Sequence, residues 1–265
     1  MRRQKLPKHN VIVLAAGKGT RMALPGTPEE ELEPKAITPF LGTTLVESVL
    51  EAIKGSMVKA TPIIVVGFKA DQVMDRLVRE KYNFVTQEPQ LGTGHAVFLA
   101  VEAIRGSVFT LVLYSDMPLI GPDTINKIVG AHLAGHSVIT MATFTVPGFD
   151  GVNAGFNQFG RVVEDNKGVV AAIVEAKDAT ADQMAIKKLN PGVFCFNTKW
   201  LTGNIGRLRP TNKQGEFYLT DLVGVAVGDG EVVISVDIPL QAAFGVNSRE
   251  QLAYAESIAR SRKKD

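Results

Sequence analysis

The sequence predicts an α/β protein. Three observations carry this reading: short β-branched apolar runs recur through the first two-thirds of the chain, segments of helical period separate them, and a glycine-rich loop follows the first run directly. Strands are expected at residues 11–16, 62–67, 108–114 and 137–146, each apolar enough to be buried on both faces. Helices are expected at 45–53, 71–81, 95–105 and 123–133, where apolar residues fall at helical spacing, so the chain reads as βαβ units around a parallel sheet. Thr44 with Glu47, and Ser248 with Gln251, have capping-box spacing at helix starts.

After Pro147 the pattern changes. Residues 161–164 and 169–174 flank Asp165-Asn166-Lys167-Gly168, which predicts a hairpin and with it a smaller β subdomain. The expected organisation is one domain over 1–265, with a first part at about 9–147, a second at about 148–247 and an amphipathic C-terminal helix at 248–265. No repeat of 20 to 50 residues is present.

With 45% hydrophobic and 21% charged residues among 265, the chain has the balance of a soluble globular protein. The net charge of +2 is near neutral and the basic residues are dispersed, so a nucleic-acid partner is not expected. Cys195 is the single cysteine, which excludes a disulfide framework and predicts a buried, reduced thiol. No apolar run approaches a membrane span or a signal h-region, so a cytoplasmic chain with no membrane partner is expected.

The loop Leu14-Ala15-Ala16-Gly17-Lys18-Gly19-Thr20-Arg21-Met22 opens at the carboxyl edge of the sheet, where α/β proteins bind ligands. Gly17 and Gly19 allow close approach of backbone amides to phosphate, and Lys18 and Arg21 add positive charge. The spacing is neither that of a Walker loop nor that of the dinucleotide fingerprint, since Met22 stands at the third glycine position. Taken alone, the two glycines suit a tight βα turn as well as a phosphate loop. The whole string closely resembles the signature of the sugar-1-phosphate nucleotidyltransferases, which implies a Rossmann-like mixed, mostly parallel sheet flanked by helices.

Further strings follow in that family's order. Pro34-Lys35-Ala36-Ile37 is similar to its second signature, whose lysine contacts nucleotide phosphate; the spacer before it is long and carries Glu29, Glu30, Glu31 and Glu33. Gln87-Glu88-Pro89-Gln90-Leu91-Gly92-Thr93-Gly94-His95-Ala96 resembles the N-acetylglucosamine-1-phosphate uridyltransferase branch. Physically, Gln87 offers a donor and an acceptor to a base edge, and Gly92 and Thr93 expose amides near a helix start. His95 is expected to support that helix start.

Asp116, in Tyr114-Ser115-Asp116-Met117-Pro118, follows a buried strand where an oxygen ligand for Mg²⁺ would face a triphosphate, although a turn aspartate before a proline has the same sequence. Strings around Gly160, Glu175, Asn190 and Asn247 resemble the family's sugar and metal contacts, and Gln214 to Asp221 resembles the segment leading into a sugar-side helix. Pro191 and the insert 148–158 depart from the family pattern.

The resemblance implies a nucleotide-binding first part and a sugar-binding second part. It assigns Arg21 and Lys35 to catalysis; Leu14, Ala15, Ala16, Gly17, Lys35, Gln87, Gly92 and Thr93 to the nucleotide; and Tyr114, Ser115, Asp116, Gly160, Glu175, Asn190 and Asn247 to the sugar side. Asp116 and Asn247 would hold Mg²⁺ as the cofactor, and the partners would be UTP and a sugar 1-phosphate. The expected reaction is uridylyl transfer to N-acetylglucosamine 1-phosphate. Another sugar such as glucose 1-phosphate, or a non-catalytic nucleotide-sugar regulator, are the alternatives. The family's bifunctional members continue into an acetyltransferase β-helix. Acetyl transfer is not expected here, and a monomer or small homo-oligomer is.

Overall fold

Alternation within the first strand sets the layers. In β1 (His9–Ala15), Val11, Val13 and Ala15 face one hydrophobic core while Ile12 and Leu14 face another, and all five are buried. The computed structural model describes residues 6–24, 26–77 and 82–262.

A short ladder of β2 (Pro39–Phe40) and β3 (Thr43–Thr44) precedes α1 (Leu45–Gly55). Next come β4 (Ile63–Val66), α2 (Ala70–Leu77), β5 (Asn83–Thr86), α3 (Thr93–Leu99), α4 (Val101–Ile104) and β6 (Phe109–Tyr114). β1 pairs in parallel with β4 and β6, and β4 with β5. Residues 78–81 of the expected second helix lie outside the described residues. The helix expected at 95–105 is divided, because Ala100 donates its N–H three residues back, to Val97, and the turn tightens there.

The second half contains α5 (Pro122–Gly135), β7 (Ile139–Thr145), β8 (Gly160–Glu164), β9 (Val170–Val174), α6 (Ala181–Met184), β10 (Lys188–Asn190) and β11 (Phe194–Asn197). It closes with α7 (Thr198–Asn204), α8 (Asp221–Gly228), β12 (Val233–Asp237) and α9 (Arg249–Arg262). Among the described residues the main sheet has ten strands, ordered β5-β4-β1-β6-β11-β7-β10-β8-β9, with β12 beside β7. β11 is antiparallel to β6 and β7, and β10 to β7 and β8, so β7, β8 and β12 run with the parallel half. The sheet is therefore mixed and mostly parallel in strand direction. Helices α1, α2, α5 and α9 cover one face and α3, α4, α7 and α8 the other.

The expected smaller β subdomain is the β8–β9 hairpin with β10, joined to the main sheet through β7. Asp165 holds the hairpin turn: its carboxylate accepts from Lys167 N at 2.8 Å and Val169 N at 2.9 Å. β10 and β11 are two pieces of one path along β7. Leu189 lies opposite Phe144 and Phe194 opposite Met141, so the stretch between them carries two extra residues. On its other edge this path pairs with β8 before the bulge and with β6 after it, and the sheet parts between β6 and β8.

Cap chemistry departs from the expected boxes. Glu47 N donates to Thr44 Oγ1 at 3.4 Å, but the Glu47 carboxylate accepts from the hydroxyls of Thr43 and Thr44 and from Arg76 instead of the cap backbone. Gln251 N donates to Ser248 Oγ at 3.3 Å, while Gln251 Oε1 accepts from Asn247 N at 2.7 Å, one residue earlier than a standard box. A reciprocal box forms instead at Thr180 and Gln183.

Candidate active site

The loop after β1 is fixed from both sides. Ala16 O accepts from Gln90 Nε2 at 2.8 Å and from Phe68 N at 3.2 Å, tying it to the ends of β5 and β4. A Cβ added at Gly17 would meet nothing within 4 Å, so this position faces open cleft. Gly19 serves a different purpose from the phosphate approach expected of it. Its φ is +70°, and a Cβ there would sit 2.6 Å from Lys35 Cβ, so glycine is required for the lysine to pass. Lys18 also turns aside: it is exposed and pairs with Glu29 at 2.7 Å, which gives the acidic spacer one function and removes Lys18 charge from the cleft.

Four predicted residues from distant segments converge. Lys35 Nζ donates to Asp116 Oδ2 and, at 2.6 Å, to Asn247 Oδ1. Arg21 Nη2 donates to the same Asn247 oxygen at 3.0 Å. The backbone builds this centre: Ser115 N donates to Leu14 O at 3.0 Å, and Val246 N to Asp116 O at 2.8 Å, which aligns the turn after β6 with the loop before α9.

At the other end of the cleft, Gln87 is buried. Its Nε2 donates to Gly92 O at 2.8 Å and lies 3.3 Å from His95 Nδ1, so His95 helps to orient the glutamine. Gly92 has φ +101°, and a Cβ there would come within 2.6 Å of Phe217 O. Thr93 Oγ1 accepts from Leu219 N at 3.0 Å, and Gly94 N donates to Phe217 O at 2.7 Å. The 214–221 segment is thereby stitched to the Gly92–Gly94 turn.

Across the parting of the sheet, a Cβ on Gly192 would stand 2.5 Å from the Tyr114 ring, and a Cβ on Gly160 would lie 3.4 Å from Glu175 Oε1. Glu175 accepts from Thr220 Oγ1 at 2.9 Å. Burial pushes the Glu175 carboxyl up; the Thr220 hydroxyl and the Arg161 charge oppose this, while Asp221 and Asp178 add to it. Burial likewise raises the Tyr114 phenol. Asn190 is buried and works inside the bulge: its Nδ2 donates to Ala142 O and its Oδ1 accepts from Gly192 N, both at 2.9 Å.

Leu14, Ala16, Gly17, Lys35, Gln87, Gly92, Thr93, Tyr114, Ser115 and Asp116 line one open cleft of about 280 Å³. Ala15 points into the helix-side core and offers the cleft no side chain. Arg21 and Glu175 line a neighbouring cavity of about 350 Å³ with Tyr218 and Gln158. Sequence reasoning assigned no role to Gln90 or Glu216, which also line the main cleft, or to Thr220 and Gln158. The first three lie inside family-like strings and could have been found there. Gln158 lies in the insert, where no pattern marks it.

The cleft lined by Leu14, Gln87 and Asp116 opens at the carboxyl ends of the parallel strands β1, β5 and β6, the ligand edge of an open α/β sheet, and points to an enzyme that handles nucleotides. The chain belongs to the MobA-like NTP transferase domain family, which matches residues 11–152. It is 39% identical over 250 residues to the bifunctional protein GlmU of Paraburkholderia phymatum, covering 94% of this chain and 51% of that protein. The GlmU of Limosilactobacillus fermentum is 37% identical over 256 residues, covering 96% and 52%. The chain thus spans about half the length of the curated relatives it matches. A solved CMP:2-keto-3-deoxy-manno-octonic acid synthetase, complexed with CTP, superposes with a TM-score of 0.66 over 96% of this chain and 99% of that one. At 13% identity this likeness shows the shared fold.

Proposed function

We propose that this chain transfers the uridylyl group of UTP to N-acetylglucosamine 1-phosphate, releasing pyrophosphate. The observation that carries the proposal is the convergence of Lys35, Asp116, Asn247 and Arg21 at the phosphate end of a cleft whose far end holds Gln87. The 39% identity to a GlmU over nearly the whole chain supports it.

In this reading a phosphate oxygen of the sugar 1-phosphate attacks the α-phosphorus of UTP. The new P–O bond forms as the bond to the β-phosphate oxygen breaks, and that electron pair leaves with pyrophosphate. Such transfers depend on positioning and charge neutralisation more than on covalent chemistry by the protein. Lys35 and Arg21 supply fixed positive charge to the α-phosphate and the leaving group. Gln87 and the Gly92–Thr93 turn face the base, and Glu175 and Tyr114 bound the sugar end.

Asp116 Oδ2 and Asn247 Oδ1 accept from one ammonium, so two hard oxygens already face a single cationic point. Oxygen donors of this kind, completed by substrate phosphates and water, suit Mg²⁺. Bound there, Mg²⁺ would neutralise phosphate charge and orient the triphosphate.

The sugar is the less constrained choice, because Pro191 and the 148–158 insert lie on the side where it would bind. Pyrophosphate release across sugar 1-phosphates with UTP and Mg²⁺, repeated with CTP and GTP, tests base, sugar and activity together. Preference for glucose 1-phosphate would replace the sugar assignment, and binding of UDP-sugars without turnover would sink the catalytic one.

A further inference from the structure

The segment between β7 and β8 supplies one exposed glutamine to the cavity that Arg21 lines beside the cleft. Gln158 Oε1 accepts a hydrogen bond from Arg21 Nη1, while Arg21 Nη2 donates to Asn247 Oδ1 at 3.0 Å. The guanidinium is therefore held at both terminal nitrogens by neutral amide oxygens. Among the described residues no carboxylate lies within ion-pair distance of Arg21, whereas Lys18 of the same loop is matched by Glu29.

We propose that Gln158 is a positioning residue, which with Asn247 aims the Arg21 guanidinium over the triphosphate site and leaves its charge unspent. The inference rests on the nucleotidyltransferase reading for the role of Arg21. A carboxylate at position 158 would hold the same fork in the same place but would cancel the charge that substrate phosphate needs. An amide supplies the geometry alone.

The insert is built to hold that amide still. Phe156, buried, packs against Phe144, Phe159 and Phe244 with ring centroids 5.1, 5.5 and 5.6 Å away. Arg161 Nη1 donates to Asn157 O at 3.0 Å and Arg161 Nη2 to Asn157 Oδ1 at 2.6 Å, fixing the residue next to Gln158. Gly155 lies so close to Gln251 that a Cβ would sit 2.3 Å from its Nε2, and Gln251 Oε1 accepts from Asn247 N at 2.7 Å. The two amides that grip Arg21 are thus parts of one packed block.

The test is a double-mutant cycle. Gln158→Ala and Gln158→Glu are made in the native chain and in Arg21→Ala, with UTP affinity read by calorimetry in the presence of Mg²⁺ and kcat/KM by pyrophosphate release. Loss of one hydrogen bond to a charged group predicts that Gln158→Ala weakens UTP binding and kcat/KM about ten-fold. Gln158→Glu is expected to lose more, with the unfolding midpoint of both variants unchanged. In Arg21→Ala, Gln158→Ala should change UTP affinity by less than about two-fold, because the coupled partner is gone. Equal losses in the two backgrounds, or a Gln158→Glu chain with native affinity, would overturn the proposal. A native chain that binds UTP and shows the coupling, yet turns over no sugar phosphate, would sink the uridylyltransferase reading alone.

Discussion

The ammonium of Lys35 holds the carboxylate of Asp116 in a pair whose side chains are 14% and 19% exposed. The pair joins the turn after β6 to a short helical segment at Lys35–Ile37, which lies beyond the acidic spacer. Asp116→Asn preserves the shape and removes the charge. Under the proposed reading it should lower turnover by at least about 100-fold, the scale set by loss of a preorganised electrostatic group, while costing about 2–3 kcal/mol of stability, since the pair is largely buried but Asn247 still accepts from Lys35. Retained turnover in a pyrophosphate-release assay would remove Asp116 from the mechanism.

Gly17 and Gly92 separate activity from stability. Alanine at Gly17 meets no neighbour within 4 Å and needs no positive φ, so the fold should persist, while under the proposed reading the methyl group stands where the phosphates would pass. Alanine at Gly92 must adopt φ near +101° and press on Phe217 O, which would cost about 2–4 kcal/mol. Urea unfolding and UTP affinity, measured on both variants, should show opposite patterns: Gly17→Ala stable and weak in binding, Gly92→Ala impaired in both.

Much of the first half was legible because its signals are local. β1, β4, β6 and β7 are apolar runs buried on both faces, and the loop residues follow in register from the strand they terminate. β5 escaped notice because Asn83–Thr86 is a partly exposed edge strand with little apolar content. The break between β10 and β11 was invisible for another reason. It is defined by pairing with β6 on one side and β8 on the other, which no window of sequence contains.

The site shows the same division. Asp116 and Gln87 could be placed from their strands, whereas the internal use of Asn190 in the bulge required the third dimension. The pairing of Lys18 with Glu29 equally depends on how the spacer folds back.

Asp221 predicts a pH effect on stability. Its carboxyl is pushed up to about 6, first by burial and then by the Asp178 charge. A carboxyl raised in the folded state keeps its proton between the unfolded value and about 6, so stability falls as pH rises through that window and levels off above it. The raised carboxyl of Glu175 acts in the same direction. Asp221→Asn should therefore match the native chain at about pH 4 and exceed it at pH 7 by about 1 kcal/mol, a figure kept small because the group is partly solvated. Parallel melting curves at the two pH values check this, and an advantage confined to low pH would contradict it.

Arg161 offers the sharpest test of how the insert is held. It is fully buried, its guanidinium donates to Asn157 O, Asn157 Oδ1 and Phe159 O, and it lies 4.9 Å from the centre of the Phe149 ring. Burial lowers its affinity for a proton, and the Glu175 charge partly offsets that. Arg161→Met would fill similar volume but leave the Asn157 and Phe159 acceptors without their donor, at a cost of about 1–3 kcal/mol, since Asn157 is exposed and Phe159 half-buried. Arg161→Lys should rescue little, because one ammonium cannot span the fork-shaped set of acceptors. If the insert positions Arg21, Arg161→Met should also lose UTP affinity at a temperature where the protein is still folded. A stability loss with native UTP affinity would show that the insert and the cleft are energetically separate.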